Sequence, residues 1–361
     1  MRRIAFVING MGSGGSQREV SLYAKYFCGM GDKVFVIVLF DNRCFYPLPE
    51  EAQFVEMLGR SKKKSKNVFF WKSQLTHLFK KEQITHVVAF GTRFGILCAS
   101  VVGKCKPAPA LIIKEISTKP TSFFDKVCLW TFRKKITHIA AQTTIQSTIS
   151  VPSFLRKKTL TIPNPFQIHA TNLNTEGFEN HRVITVGRLN LPVKRQDIMI
   201  KAFSIFHEKH PDYSFDIFGA PQLNDKGKTI AELQSLIKQL GLEESIHLRG
   251  ESHDIGKDTT NASLFLLASP REGMPNALVE ALLLGIPAIS TNWAGSSEII
   301  ENGKNGFIVP LDDVQAMAQK MEEMFASKSN YDSMSKAAYE MATARYSEDS
   351  VYEQWSTVLL K

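Results

Sequence analysis

Three stretches of this chain combine residue types and spacings that suit a phosphorylated ligand. In Gly187-Arg188-Leu189-Asn190-Leu191-Pro192-Val193-Lys194, two cations lie six positions apart directly after an apolar run. Arginine offers phosphate a bidentate fork and lysine a point charge, so the pair can converge on one anion. Two solvated surface charges are the plain alternative. In Arg271-Glu272-Gly273-Met274-Pro275-Asn276-Ala277-Leu278-Val279-Glu280, a loop shaped by Gly273 and Pro275 runs into an apolar helix. The amides from Asn276 onward then stand at a helix N-terminus, which stabilises a pyrophosphate. At about 1.5 Å of rise per residue, Glu272 and Glu280 lie up to ~12 Å apart. That exceeds the roughly 6.5–9.5 Å between the carboxyls of an inverting glycosidase and argues against paired-carboxylate hydrolysis. Carboxylates so spaced suit hydroxyl-bearing rings on either side of a diphosphate. The alternative is a capping acid and a helix-surface glutamate.

The third stretch is Gly10-Met11-Gly12-Ser13-Gly14-Gly15, which fits G-x-G-x-x-G between a strand and a helix, with Asp41 ending the second strand. It supports an NAD(P)-dependent oxidoreductase as a rival reading. A glycine-rich turn of structural use explains it equally well.

The elements that must position these residues form two rounds of one pattern. In the first half, Arg3–Ile8, Lys33–Phe40, Thr85–Phe90, Ala110–Lys114 and Ile136–Ala141 read as buried strands. Ser16–Met30 and the stretches between them are helical. After a Pro163-Asn164-Pro165 break the pattern restarts with strands at Arg182–Val186, Ser214–Phe218, Ile246–Leu248, Ser263–Ala268 and Pro287–Thr291. Helices are expected over Arg195–His210, Thr229–Leu240, Asn276–Leu284, Asp312–Phe325, Tyr331–Tyr346 and Asp349–Leu360. Continuous apolar strands separated by helices predict parallel sheets covered on both faces. The fold class is therefore α/β, with two doubly wound Rossmann-like domains facing a cleft: residues 1–168, a linker at 169–181, and residues 182–345. The last helix, 346–361, either packs back on the first domain or is simply core.

Length and composition agree. The chain has 361 residues, 43% hydrophobic and 22% charged, which excludes disordered and disulfide-stapled classes. No apolar run approaches the ~18 residues of a membrane span or forms a signal peptide. The cysteines, Cys28, Cys44, Cys98, Cys105 and Cys128, are odd in number and form no close pair, which fits free thiols in a reducing cytoplasm. Charge is divided unevenly. Residues 1–168 hold 26 Lys/Arg against 9 Asp/Glu, although the whole chain carries only +9. The cations cluster beside aromatics: Lys62, Lys63, Lys64 and Lys66 before Val68-Phe69-Phe70-Trp71; Arg133, Lys134 and Lys135 after Phe123, Phe124 and Trp130; and Arg156-Lys157-Lys158. Such runs predict docking on an anionic membrane surface, with solvated loops as the alternative. No nucleic-acid motif accompanies the charge.

Residues 182–325 closely resemble the retaining nucleotide-sugar glycosyltransferases of family 4, of GT-B fold. The matching pieces are Val186-Gly187-Arg188 with Lys194; Glu272-Gly273-Met274-Pro275-Asn276 with Glu280; Ala281 to Pro287 with Gly285; Gly295 with Glu298; and Asn302-Gly303-Lys304-Asn305-Gly306. In the first half, Gly14-Gly15-Ser16-Gln17-Arg18 is similar to the family's G-G-A-E-R loop, and Pro163-Asn164 to its Asn turn. The resemblance implies that Arg188 and Lys194 neutralise the leaving diphosphate, without metal or cofactor. It implies that Glu272 holds the donor sugar, that Glu280 holds the ribose, and that Gly273, Met274, Pro275, Asn276, Ala277 and Leu278 contact sugar and phosphate. Gly14 and Gly15 would close over the diphosphate. The chain departs from the family where relatives often carry a histidine: Gly91-Thr92-Arg93-Phe94-Gly95 has none, and the next strand ends Lys114-Glu115-Ile116. The Met-Pro-Asn loop is similar to that of members using UDP-linked hexoses or N-acetylhexosamines. The implied role is building a cell-surface glycan, on a glycan or lipid-linked acceptor, at the inner face of the cytoplasmic membrane. An inert nucleotide-sugar-binding module is the remaining alternative.

Overall fold

The computed structural model describes residues 1–12, 14–59, 67–116, 119–166, 176–221, 225–252 and 255–359. They divide into two units, Met1–Pro165 with Val351–Lys361, and Phe166–Ser350.

The first unit runs β1 (Arg3–Met11), α1 (Gly15–Gly29), β2 (Lys33–Cys44), β3 (Gln53–Glu56), α2 (Val68–Lys81), β4 (His86–Phe90), α3 (Thr92–Val102), β5 (Ala110–Lys114), α4 (Phe123–Phe132), β6 (His138–Ala141), α5 (Thr144–Ser150) and β7 (Thr159–Thr161). The second runs β8 (Arg182–Val186), α6 (Leu191–Lys194), α7 (Gln196–His207), β9 (Ser214–Phe218), α8 (Lys228–Gln239), β10 (Ile246–Gly250), α9 (Ile255–Thr259), β11 (Leu264–Leu267), α10 (Asn276–Leu283), β12 (Ala288–Thr291), β13 (Gly306–Val309), α11 (Val314–Phe325) and α12 (Lys328–Tyr346). The final helix, α13 (Glu348–Leu359), joins the first unit from Val351 onward.

Among the described residues every strand pairing is parallel, in the orders β3-β2-β1-β4-β5-β6-β7 and β10-β9-β8-β11-β12-β13. The alternating side chains of β1 explain the layering. Ile4, Phe6 and Ile8 enter a core with α1 and with Val351, Tyr352 and Trp355 of α13. Ala5 and Val7 enter the opposite core with Trp71, Leu75 and Phe79 of α2 and Leu97 of α3. In the second unit Val183 faces α7, α8 and α11, while Ile184 faces α10 and α12. With both faces covered, the strands have to be apolar throughout.

Strand order reverses at β1/β4 in the first sheet and at β8/β11 in the second. Ligands of open α/β sheets bind beyond strand C-termini at such switch points. The loops after β1, β8 and β11 carry the three stretches identified above.

Four expectations change. β1 does not end in an Asn9-Gly10 turn but continues to Met11, with irregular register after Ile8. A Cβ on Gly10 would come 2.7 Å from the Asp41 Cβ, so this glycine exists to let β2 pass. The expected Arg195–His210 helix is two pieces, because Arg195 sits left-handed at φ 51° between α6 and α7. The edge strands β3, β7 and β13 were not expected; Gln53-Phe54-Val55-Glu56 and Thr159-Leu160-Thr161 are too short and polar-flanked to show an apolar run. Trp71, expected on the membrane side, is core: it is 3% exposed and its indole N–H donates to the Met57 carbonyl at 2.8 Å. The i, i+4, i+8 spacing of Trp71, Leu75 and Phe79 outweighs the neighbouring charge. Lys62, Lys63, Lys64 and Lys66 lie outside the described residues. Lys134 and Lys135 are exposed, and Arg133 lies over the Trp130 ring at 4.3 Å.

Candidate active site

In the second unit the loops after β8 and β11 meet through their charges. The Lys194 ammonium lies 2.6 Å from Glu272 Oε1, with both side chains partly shielded from solvent. Charge-assisted bonds of this length are strong, and they fix where both groups point. The lysine reaches Glu272 by crossing Gly187, whose added Cβ would stand 3.6 Å from Lys194 Cε. Arg188, the next residue after Gly187, is exposed, and its carbonyl accepts a hydrogen bond from the Gln196 amide nitrogen at 3.1 Å. Gln196 is buried at the first position of α7, so it pins the Arg188 loop to a helix. Sequence reasoning passed over Gln196. Its signal was a buried-face amide directly after Lys194-Arg195.

Glu272 leads into α10 through Gly273, Met274 and Pro275. Met274 and Pro275 are buried, while Asn276 and Ala277 are half-buried at the helix start. The Pro275 carbonyl already takes the Leu278 and Val279 amides at 3.1 and 3.2 Å. Asn276 and Ala277 precede these bonds at the N-terminal end of α10, where the helix end stabilises an anion. Glu280 is 1% exposed on the inward face of α10, which removes the helix-surface reading. A carboxylate is costly to bury without polar partners, so this position is specific.

Neighbouring residues hold these loops in place. Gly219 (φ 155°) would place a Cβ 2.0 Å from the Gly187 carbonyl oxygen, so only glycine lets the β8 and β9 loops touch. Asn305 accepts from the Glu301 amide at 2.8 Å and donates to the Ile299 carbonyl at 3.1 Å, tying the loop before β13. Trp293 is buried, with its indole on Ser290 Oγ at 3.1 Å.

In the first unit Gly14 caps α1 in an extended conformation, and the first bond of the helix runs from the Arg18 amide to the Gly14 carbonyl at 3.0 Å. The amides of Gly15, Ser16 and Gln17 therefore face out of the helix end. Asp41, the acid invoked for a ribose in the oxidoreductase reading, is held by Arg43 at 2.6 Å, which keeps its carboxyl below the usual range through hydrogen bonding. Behind this edge Glu115 accepts from Thr92 Oγ1 at 2.7 Å and from the Ile116 amide at 3.1 Å. Lys114 is buried against Glu19 of α1 at 2.9 Å. His86 stands at the first residue of β4, the sheet edge opposite the start of α1. Among the described residues no group of three or more His, Cys, Asp or Glu is placed to hold a metal.

Residues 174–341 match the family of glycosyl transferases group 1. Across 99% of its length the chain is 24% identical to an uncharacterized glycosyltransferase of Haemophilus influenzae, all of which is covered. It is 33% identical over 138 residues to a putative colanic acid biosynthesis glycosyltransferase, WcaL, of Salmonella typhimurium, a match spanning 35% of this chain and 34% of that one. The crystal structure of Anabaena HepE in complex with UDP and glucose superposes with a TM-score of 0.83 at 18% identity, covering both chains fully. That likeness carries the GT-B fold.

Proposed function

We propose that this chain, which belongs to the glycosyl transferases group 1 family, transfers a hexose or N-acetylhexosamine from a UDP-sugar in polysaccharide biosynthesis, with retention at the anomeric carbon. The observation that carries the donor reading is the Lys194–Glu272 contact at the mouth of α10, with Arg188 exposed on the same β8 loop and Glu280 buried within the helix.

Breaking an anomeric C–O bond leaves negative charge on the diphosphate, and fixed cations at that oxygen lower the barrier. An ammonium has three protons, so Lys194 can keep Glu272 and still donate to a phosphate. Glu272, oriented by that bond, would accept from donor-sugar hydroxyls, and Glu280 from the ribose. The amides at the start of α10 would bind phosphate oxygens. The HepE structure holds UDP, which favours uridine over guanosine here. The acceptor is a glycan or lipid-linked saccharide at an anionic membrane surface, matching the basic first half.

Calorimetry with UDP, GDP and NAD⁺ in chelator, on the wild type and on Arg188→Ala, tests this. UDP should bind, and Arg188→Ala should lower turnover by ~10²–10³-fold, the effect of losing a transition-state charge partner. Binding of NAD⁺ alone, or wild-type turnover in the variant, would refute it.

A further inference from the structure

Helix α4 is two-sided in an unusual sense. Leu129 points into the core of the first unit, as a helix packed on a sheet requires. The outward face carries Phe123 (83% exposed), Phe124 (74%), Val127 and Trp130 (55%). At 100° per residue, positions i, i+1, i+4 and i+7 form one stripe, directed away from Leu129. Four large apolar side chains on one ten-residue helix exceed the scatter of single exposed hydrophobics on an ordinary surface.

The strands of this sheet are parallel, and α2, α3 and α4 run back between them. Their first turns therefore stand at the same edge as the strand C-termini. There Phe69 of α2 is as exposed as Phe123, and Arg93 of α3 reaches Asp125 of α4 at 3.9 Å. Between residues 119 and 135 the chain has Lys119, Lys126, Arg133, Lys134 and Lys135, with Asp125 as the one acid. Exposed aromatics ringed by cations fit a surface that is apolar beneath and anionic at its face. A second copy of the chain would bring the same cations into opposition.

We propose that α4 is an interfacial anchor that inserts Phe123, Phe124, Val127 and Trp130 into an anionic lipid bilayer. Arg133, Lys134 and Lys135 then lie at headgroup level, with Trp130 at the boundary. The anchor occupies the sheet edge that also bears the start of α1, so a lipid-linked acceptor reaches that edge without leaving the membrane. This specifies the partner of the membrane-side acceptor reading above and rests on it. Its test does not depend on sugar transfer.

The chain has four tryptophans, and Trp71, Trp293 and Trp355 are at most 3% exposed, so an environment-dependent emission shift reports Trp130. The full chain is mixed with phosphatidylcholine vesicles, with or without phosphatidylglycerol. Emission should move to the blue only with the anionic vesicles. Trp130→Phe should lose the shift while still co-sedimenting, and the double variant Phe123→Ser/Phe124→Ser should bind vesicles at least about tenfold more weakly. UDP binding should be unchanged in both variants, which separates a failed anchor from a failed donor site. Absent sedimentation, vesicle binding with unshifted Trp130 emission, or a dimer in sedimentation velocity that Phe123→Ser/Phe124→Ser dissolves would each overturn the proposal.

Discussion

The first unit buries a charge pair that ties the glycine-loop helix to the end of the chain, and breaking it should be costly in a calculable way. Lys114 and Glu19 are both essentially unexposed and 2.9 Å apart. The lysine also donates to the Ile162 carbonyl at 2.9 Å and lies 5.7 Å from the Trp355 ring. Tyr23 donates to Glu19 at 2.7 Å and accepts from the Trp355 indole at 2.6 Å. At an effective dielectric of ~20, charges this close attract by about 6 kcal/mol. Desolvating each ion costs several kcal/mol, so the intact pair contributes little net stability. Removing one partner leaves the other charge buried, at a cost of ~3–5 kcal/mol. Glu19→Leu or Lys114→Met should therefore lower the melting temperature of this unit by roughly 6–20 °C, at ~2–4 °C per kcal/mol for its size. The double variant should lose far less than the sum. Burial already pushes the Lys114 ammonium below its ordinary value of 10.5, opposed by Glu19. Without Glu19 that depression deepens, so the unfolded chain binds the extra proton and the penalty should shrink as pH rises toward 10.5. Thermal unfolding followed by tryptophan emission, in a double-mutant cycle across pH, measures all of this. Additive single effects, or a pH-independent penalty in Glu19→Leu, would refute the reasoning.

Two further outcomes follow from the same structure. Glu280→Gln should weaken UDP binding in calorimetry, while Glu272→Gln should leave UDP affinity nearly intact and depress turnover of the UDP-sugar, because one carboxylate is assigned to the nucleotide and the other to the sugar; equal effects on both readouts would dissolve that division. Gly10→Ala forces a Cβ to within 2.8 Å of the Asp41 carbonyl oxygen, so it should cost ~1–3 kcal/mol by overpacking and leave UDP affinity unchanged, as read by melting and calorimetry.

What the sequence alone determined is the part governed by local rules. Ile4 to Ile8, Val34 to Leu39 and Leu264 to Leu267 are continuous apolar runs, and a run of that kind between helices has to be a strand covered on both faces. The Arg188, Lys194, Glu272 and Glu280 set was likewise proposed from local pattern, because loop glycines, charges and a helix start lie contiguously. The tertiary structure decided what depends on residues distant in sequence. Trp71 went to the core because α2 has a sheet to cover, although its neighbours are lysines. Gly10 proved to be a crossing point because Asp41 passes beside it. Gln196 acquired a role from the Arg188 carbonyl it holds. Glu19 and Lys114, far apart in the chain, became a buried pair because α1 covers the sheet face on which Lys114 of β5 lies. Periodicity reports which side of an element is buried, whereas the partner a buried polar group meets is set by sheet order, and sheet order is a property of the whole chain.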